Sequence, residues 1–141
     1  MRGHTFVELT FALLLLGVAT ASLAPGARKI RDRAAVSAAR EALVGVLTEA
    51  RLAAVESGGA SVRIVEGPGT AQTLSRGAPV RSVGLASEFG VTVELSGARS
   101  DVEIRYDALG LGRLASQTVV LRRGDAVAEL VVSGYGRVRR R

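Results

Sequence analysis

The chain has no cysteine and no tryptophan, and only one histidine, one lysine and three prolines among its 141 residues. Without cysteine there is no disulfide framework and no thiolate metal site. The lone histidine, His4, stands at the extreme N-terminus, and no serine has a base partner suited to nucleophilic catalysis. Aromatic residues make up 4% of the chain, and Tyr135 is the only one near the basic C-terminus, which argues against a stacking platform for single-stranded nucleic acid. These shortages point to a protein that is not an enzyme; no catalytic residue, cofactor or metal is assigned.

What the chain does have is an apolar run from Phe6 to Ala24 with a single carboxylate inside it, Glu8. About 20 apolar residues span a bilayer. A charge inside such a segment costs roughly 2.5–3.5 kcal/mol on insertion scales, and charges placed there are usually paired and functional. A carboxylate at Glu8 therefore calls for a cation to pair with inside an apolar segment. Two simpler readings remain open on the residues alone. A secretory signal peptide would use Ala19-Thr20-Ala21 before Ser22 as its cleavage site and make this an exported binding protein, although an acid in the core is unusual for such a signal. A plain anchor is the other. For an anchor, Arg28, Lys29, Arg31 and Arg33 follow the run and only Arg2 precedes it, so the positive-inside rule alone would place the bulk of the chain in the cytoplasm.

Gly3-His4-Thr5-Phe6-Val7-Glu8 followed by Phe11-Ala12-Leu13-Leu14-Leu15-Leu16 resembles the class III signal of type IV pilins and pseudopilins. The resemblance implies a leader of residues 1–3, cleavage by a prepilin peptidase between Gly3 and His4, and N-methylation of the new terminus. Glu8 then becomes the fifth residue of the cleaved chain, where the family keeps a glutamate that pairs with the N-terminal ammonium of a neighbouring subunit. Opposite charges attract strongly in a low-dielectric medium, where each alone is costly. Gly17 and Pro25 match the family's helix-weakening glycine and kinking proline. The leader here is only Met-Arg-Gly, and His4 replaces the usual phenylalanine. The implied topology is a single pass through the inner membrane with the head in the periplasm.

The rest of the chain divides by periodicity. Residues 4–25 form the expected transmembrane and filament-core helix, and residues 26–59 a second, amphipathic stretch. Leu43, Val46, Leu47, Ala50 and Ala54 recur at three- and four-residue intervals on one stripe, and Gly58-Gly59 provides a stop. From residue 60 to 141 short alternating segments, Ser61–Val65, Pro79–Val83, Val91–Leu95, Val102–Tyr106, Thr118–Leu121 and Ala126–Ser133, predict a β-rich head. The glycine-rich stretch 67–78 reads as a long loop, and Gly110-Leu111-Gly112-Arg113 as a turn. Asp101 and Glu103 read as solvated edge-strand charges rather than a cation site. The expected class is α+β: a long N-terminal helix packed on a β-rich head.

Three segments, Glu49–Val55, Thr118–Gly124 and Leu130–Val138, look like the GspH/FimT class of pseudopilins, whose chains end in a hydrophobic strand and a Gly-Arg turn. That class implies a minor subunit of a type II secretion pseudopilus, with other pseudopilins or pilins as partners. The alternative is a minor pilin of a DNA-uptake or adhesion pilus. The net charge of +6 gathers after the apolar run and at the C-terminus, where Arg137, Arg139, Arg140 and Arg141 form a candidate contact for DNA or for an acidic partner. A solvated tail is the simpler reading of those arginines.

Overall fold

The computed structural model describes residues 6–113 and 116–140, with the side chains of 20–25 excepted. One helix, α1 (Phe6–Ser57), runs for 52 residues, roughly 80 Å, without interruption past Gly17 and Pro25. Its two halves have opposite surroundings. Side chains from Phe6 to Ala19 and from Gly26 to Arg31 are exposed, whereas Val36, Ala39, Leu43, Val46, Leu47, Ala50 and Ala54 are buried. The buried set repeats every three or four residues and is the stripe that lays the second half of α1 across the head. Each fully buried leucine or valine contributes roughly 1.5–3 kcal/mol relative to exposure. The helix stops at Gly58, whose φ of +84° favours glycine.

The head consists of two antiparallel sheets, each of four strands. The first has the order β3-β2-β1-β5, built from β1 (Gly59–Val65), β2 (Thr70–Ser75), β3 (Ala78–Gly84) and β5 (Asp101–Asp107). The second has the order β4-β6-β7-β8, from β4 (Thr92–Leu95), β6 (Gln117–Arg123), β7 (Ala126–Val132) and β8 (Val138–Arg140). A short helix, α2 (Leu85–Phe89), links β3 to β4 and drops Leu85 into the core. Helix α1 packs against strands of both sheets, and the core between them includes Val62, Ile64, Ile104, Val119, Leu121 and Leu130. The sheets are joined at one corner by Glu66, whose carboxylate accepts the backbone N–H of Leu95.

Two expectations need correction. The stretch 67–78 is not a long loop: β2 occupies its middle and pairs with β1 on one side and β3 on the other. Its glycines make the turns at the ends, with positive φ at Gly67, Gly69 and Gly77, while Ala71 and Thr73 face the core. The basic C-terminal segment is not a free tail either. Val138–Arg140 forms β8 on the edge of the second sheet, with Val138 opposite Val132 and Arg140 opposite Leu130. Val138 packs against the core, which gives the strand its hold.

Candidate interaction surfaces

Gly3, His4 and Arg141 lie outside the described residues. Glu8 lies near the start of α1 on an exposed stretch that carries Phe6 (81% exposed) and Phe11 (64%). Among the described residues no helix is long and apolar enough to cross a membrane. The expected spanning segment, 4–25, lies partly outside those residues. Gly17 sits on the same exposed helix, with open space where a Cβ would project.

The C-terminal arginines separate by strand alternation, since successive side chains of a strand point to opposite faces. Arg140 shares its face with Val138 and reaches back to α1. Its Nε donates to Glu41 Oε1 at 3.1 Å and its Nη2 to Oε2 at 2.8 Å. Arg40 adds a third donor to the same carboxylate at 3.3 Å. The hydrogen bond from Arg140 is the main reason that the Glu41 carboxyl is held below its ordinary value.

Arg137 and Arg139 go the other way. They border an open groove of about 770 Å³ whose walls also include Arg51, Leu111, Val131 and Tyr135. Arg51 comes from the last turns of α1, Leu111 from the β5–β6 connection, and Val131 from β7 opposite Arg139. Sequence spacing gave no sign that Arg51 would join Arg137, because the two are brought together only by the docking of α1. No carboxylate lines the groove, and none of these three guanidiniums forms an ion pair among the described residues. Elsewhere on the head Arg63, Arg81, Arg105, Arg113, Arg122 and Arg123 each hold an acid.

The groove is held by two tight turns. The Ser133–Arg137 turn is closed by Gly136 N–H donating to Ser133 O at 2.8 Å and by Arg137 N–H donating to Ser133 Oγ at 3.1 Å. At Gly136 φ is +78°, and a Cβ there would lie 2.7 Å from the Tyr106 ring. Gly112 lies so close to Gly136 that a Cβ on it would come within 2.5 Å of the Gly136 nitrogen. The other turn follows β5. Asp107 accepts the N–H groups of Leu109 and Leu111, each at 3.0 Å, so its carboxyl is held below its ordinary value. Burial pushes the Tyr106 phenol up from its ordinary value, and nearby Arg51 pulls it part-way back.

The acids of β5 are engaged by arginines. Asp101 accepts from Arg63 at 2.9 Å, and Glu103 from Arg105 at 2.9 Å, on an edge strand of the first sheet. No group of His, Cys, Asp and Glu is arranged to hold a metal ion among the described residues.

This arrangement, a long helix whose second half lies on a two-sheet head, has solved counterparts. A crystal structure of the type IV minor pilin FimU from Pseudomonas aeruginosa superposes with a TM-score of 0.61, at 20% identity, over 77% of this chain and 90% of that one. A second crystal form of FimU gives 0.58, at 21% identity, over 74% and 91%. The fold is that of a type IV pilin. Neither a protein-family model nor a curated protein matches the sequence. Within the pilin fold, α1 is the helical spine, the two sheets are the head, and the arginine groove lies at the end of the spine remote from the apolar run.

Proposed function

We propose that this chain is a minor structural subunit of a pilin-type filament, held in the inner membrane by the first half of α1 before assembly, with its head in the periplasm. The observation that carries the reading is the division of α1. Its first part exposes phenylalanine, leucine and valine on a helix that the head does not cover, while its second part is fastened into the core. Apolar surface of this extent marks contact with lipid or with other proteins. A pilin-type filament offers both in turn, lipid first and the helices of neighbouring subunits afterwards.

The likeness to a type IV minor pilin supports a pilin-type subunit, in a type II secretion pseudopilus or in a type IV pilus, and the two readings part at the C-terminal arginines. A DNA-contacting role for the C-terminal arginines has to rest on Arg137, Arg139 and Arg141, because Arg140 is committed to Glu41.

The test is the Glu8→Val protein, expressed with its filament machinery. We expect membrane insertion to be retained or improved, since a charge is removed from an apolar segment, and incorporation into sheared filaments to be lost, since the neighbour's ammonium loses its partner. Wild-type levels of Glu8→Val in purified filaments would overturn the role of Glu8 in assembly.

A further inference from the structure

We propose that the groove between the end of α1, the β5–β6 connection and β8 is a docking site for an acidic, leucine-containing segment of another protein. The inference does not depend on the filament reading, because the groove is formed by the head and the head-bound end of α1.

Charge comes first. Arg51, Arg137 and Arg139 converge on one concavity with no carboxylate among the described residues of its walls, whereas most arginines of the two sheets already hold an acid. Like charges gathered in a cleft focus the field and favour an anionic occupant. Each guanidinium presents a planar fork that matches a carboxylate through two parallel hydrogen bonds. Ser116 and Ser133 supply hydroxyls in the same groove, able to donate to further oxygens.

The apolar surroundings decide which anion. Leu111 and Val131 are in the wall, Tyr135 is 79% exposed, and Leu109 beside them is 77% exposed. Leu52 and Val55 continue this surface along α1, and Gly110 brings the two parts into contact. A Cβ on Gly110 would meet Val55 Cγ2 at 3.3 Å and Arg51 Cγ at 3.0 Å. Tyrosine and arginine are the residue types enriched at protein interfaces, and lysine is depleted there. A phosphodiester backbone has nothing to place against leucine, and one tyrosine makes a poor base-stacking platform. An acidic protein segment satisfies both halves of the surface: carboxylates on the three arginines, and apolar side chains on Leu109, Leu111 and Tyr135.

The experiment uses the full chain in detergent and a fluorescent peptide of alternating glutamate and leucine. Its glutamine–leucine counterpart and a short DNA duplex serve as competitors. We expect saturable binding of the acidic peptide, weakened about fivefold or more by each of Arg51→Ala, Arg137→Ala and Arg139→Ala. Arg63→Ala, which removes a paired arginine on the first sheet, should leave it unchanged. Leu111→Ser should weaken binding without altering its salt dependence. Equal affinity for the glutamine peptide, or indifference to all three arginine substitutions, overturns the proposal. Displacement of the peptide by duplex at lower concentration than by unlabelled peptide also overturns it, and makes the groove a nucleic-acid site instead.

Discussion

Arg140 holds both carboxylate oxygens of Glu41, a residue 99 positions earlier on α1, and so ties the last strand of the head to the middle of the spine. The contact divides a run that reads in sequence as one basic patch. Arg140 closes the fold, while Arg137 and Arg139 face the groove.

The tie makes β8 sensitive to acid. Glu41 has its folded-state carboxyl held below the ordinary value, first by the hydrogen bond from Arg140. A group depressed in the folded state contributes stability above its unfolded value and loses it as pH falls through the folded one. Protection of the β7–β8 amides should therefore be complete at neutral pH and decline as pH falls through and below the ordinary glutamate range. The check is hydrogen exchange, corrected for intrinsic rates, across that window. Arg140→Gln should flatten most of that pH dependence, Arg40 remaining on the same carboxylate, and an unchanged profile in that variant would overturn the tie.

The groove should be more sensitive to Gly136 than to any one arginine. Alanine there must adopt a φ of +78° and place its methyl 2.7 Å from the Tyr106 ring. Left-handed backbone in a non-glycine residue costs of order 1–3 kcal/mol. Gly136→Ala should lose about that much in denaturant unfolding and should shift the NMR signals of Arg137 and Tyr106 together. Gly97→Ala makes a useful contrast, because it has positive φ but open space at the Cβ position.

How much of this was legible depended on how far apart the contributing residues lie. The buried stripe of α1 was readable because Leu43, Val46, Leu47, Ala50 and Ala54 carry their own periodicity. Strand β2 was hidden because its core-facing positions, Ala71 and Thr73, are small or polar, and the glycines around them read as loop. Helix α2, at five residues with only Leu85 buried, is too short to show a period. Strand β8 was masked by its charge: four arginines in the last five residues read as a tail. Yet Val138 and Glu41 between them hold β8 on the sheet. The groove was invisible for the plainest reason, since Arg51 and Arg137 meet only in the folded chain.

Processing offers a direct test at the other end of the molecule. Gly3 and the offset to Glu8 predict that a co-expressed prepilin peptidase yields a chain beginning at N-methylated His4. Intact-mass measurement distinguishes this from a start at Ser22, the outcome expected of a secretory signal. The distinction matters structurally, because a cut before Ser22 would remove Glu8 and the exposed apolar part of α1 together.

The last prediction concerns where the spine leaves the head. Arg123 Nε donates to Asp32 Oδ1 at 3.0 Å, and its Nη1 donates to the carbonyl of Phe89 at the end of α2. Asp32 and Arg123 are each about one-third exposed or less, so this pair is better shielded from solvent than the other ion pairs of the head. Gly124 keeps the approach clear: a Cβ there would lie 2.8 Å from Asp32 Oδ2. Hydrogen bonds to charged groups contribute roughly 1.5–3 kcal/mol each, and partial exposure reduces that here. Arg123→Ala should therefore lower unfolding stability by about 1–2 kcal/mol. The same substitution should raise amide exchange in residues 28–35 while leaving the buried stripe from Leu43 to Ala54 protected. Destabilisation spread evenly along α1 would mean that Arg123 supports the core as a whole rather than the exit of the helix, whereas a loss confined to residues 28–35 makes the pair the point at which the exposed half of the spine is fixed to the head.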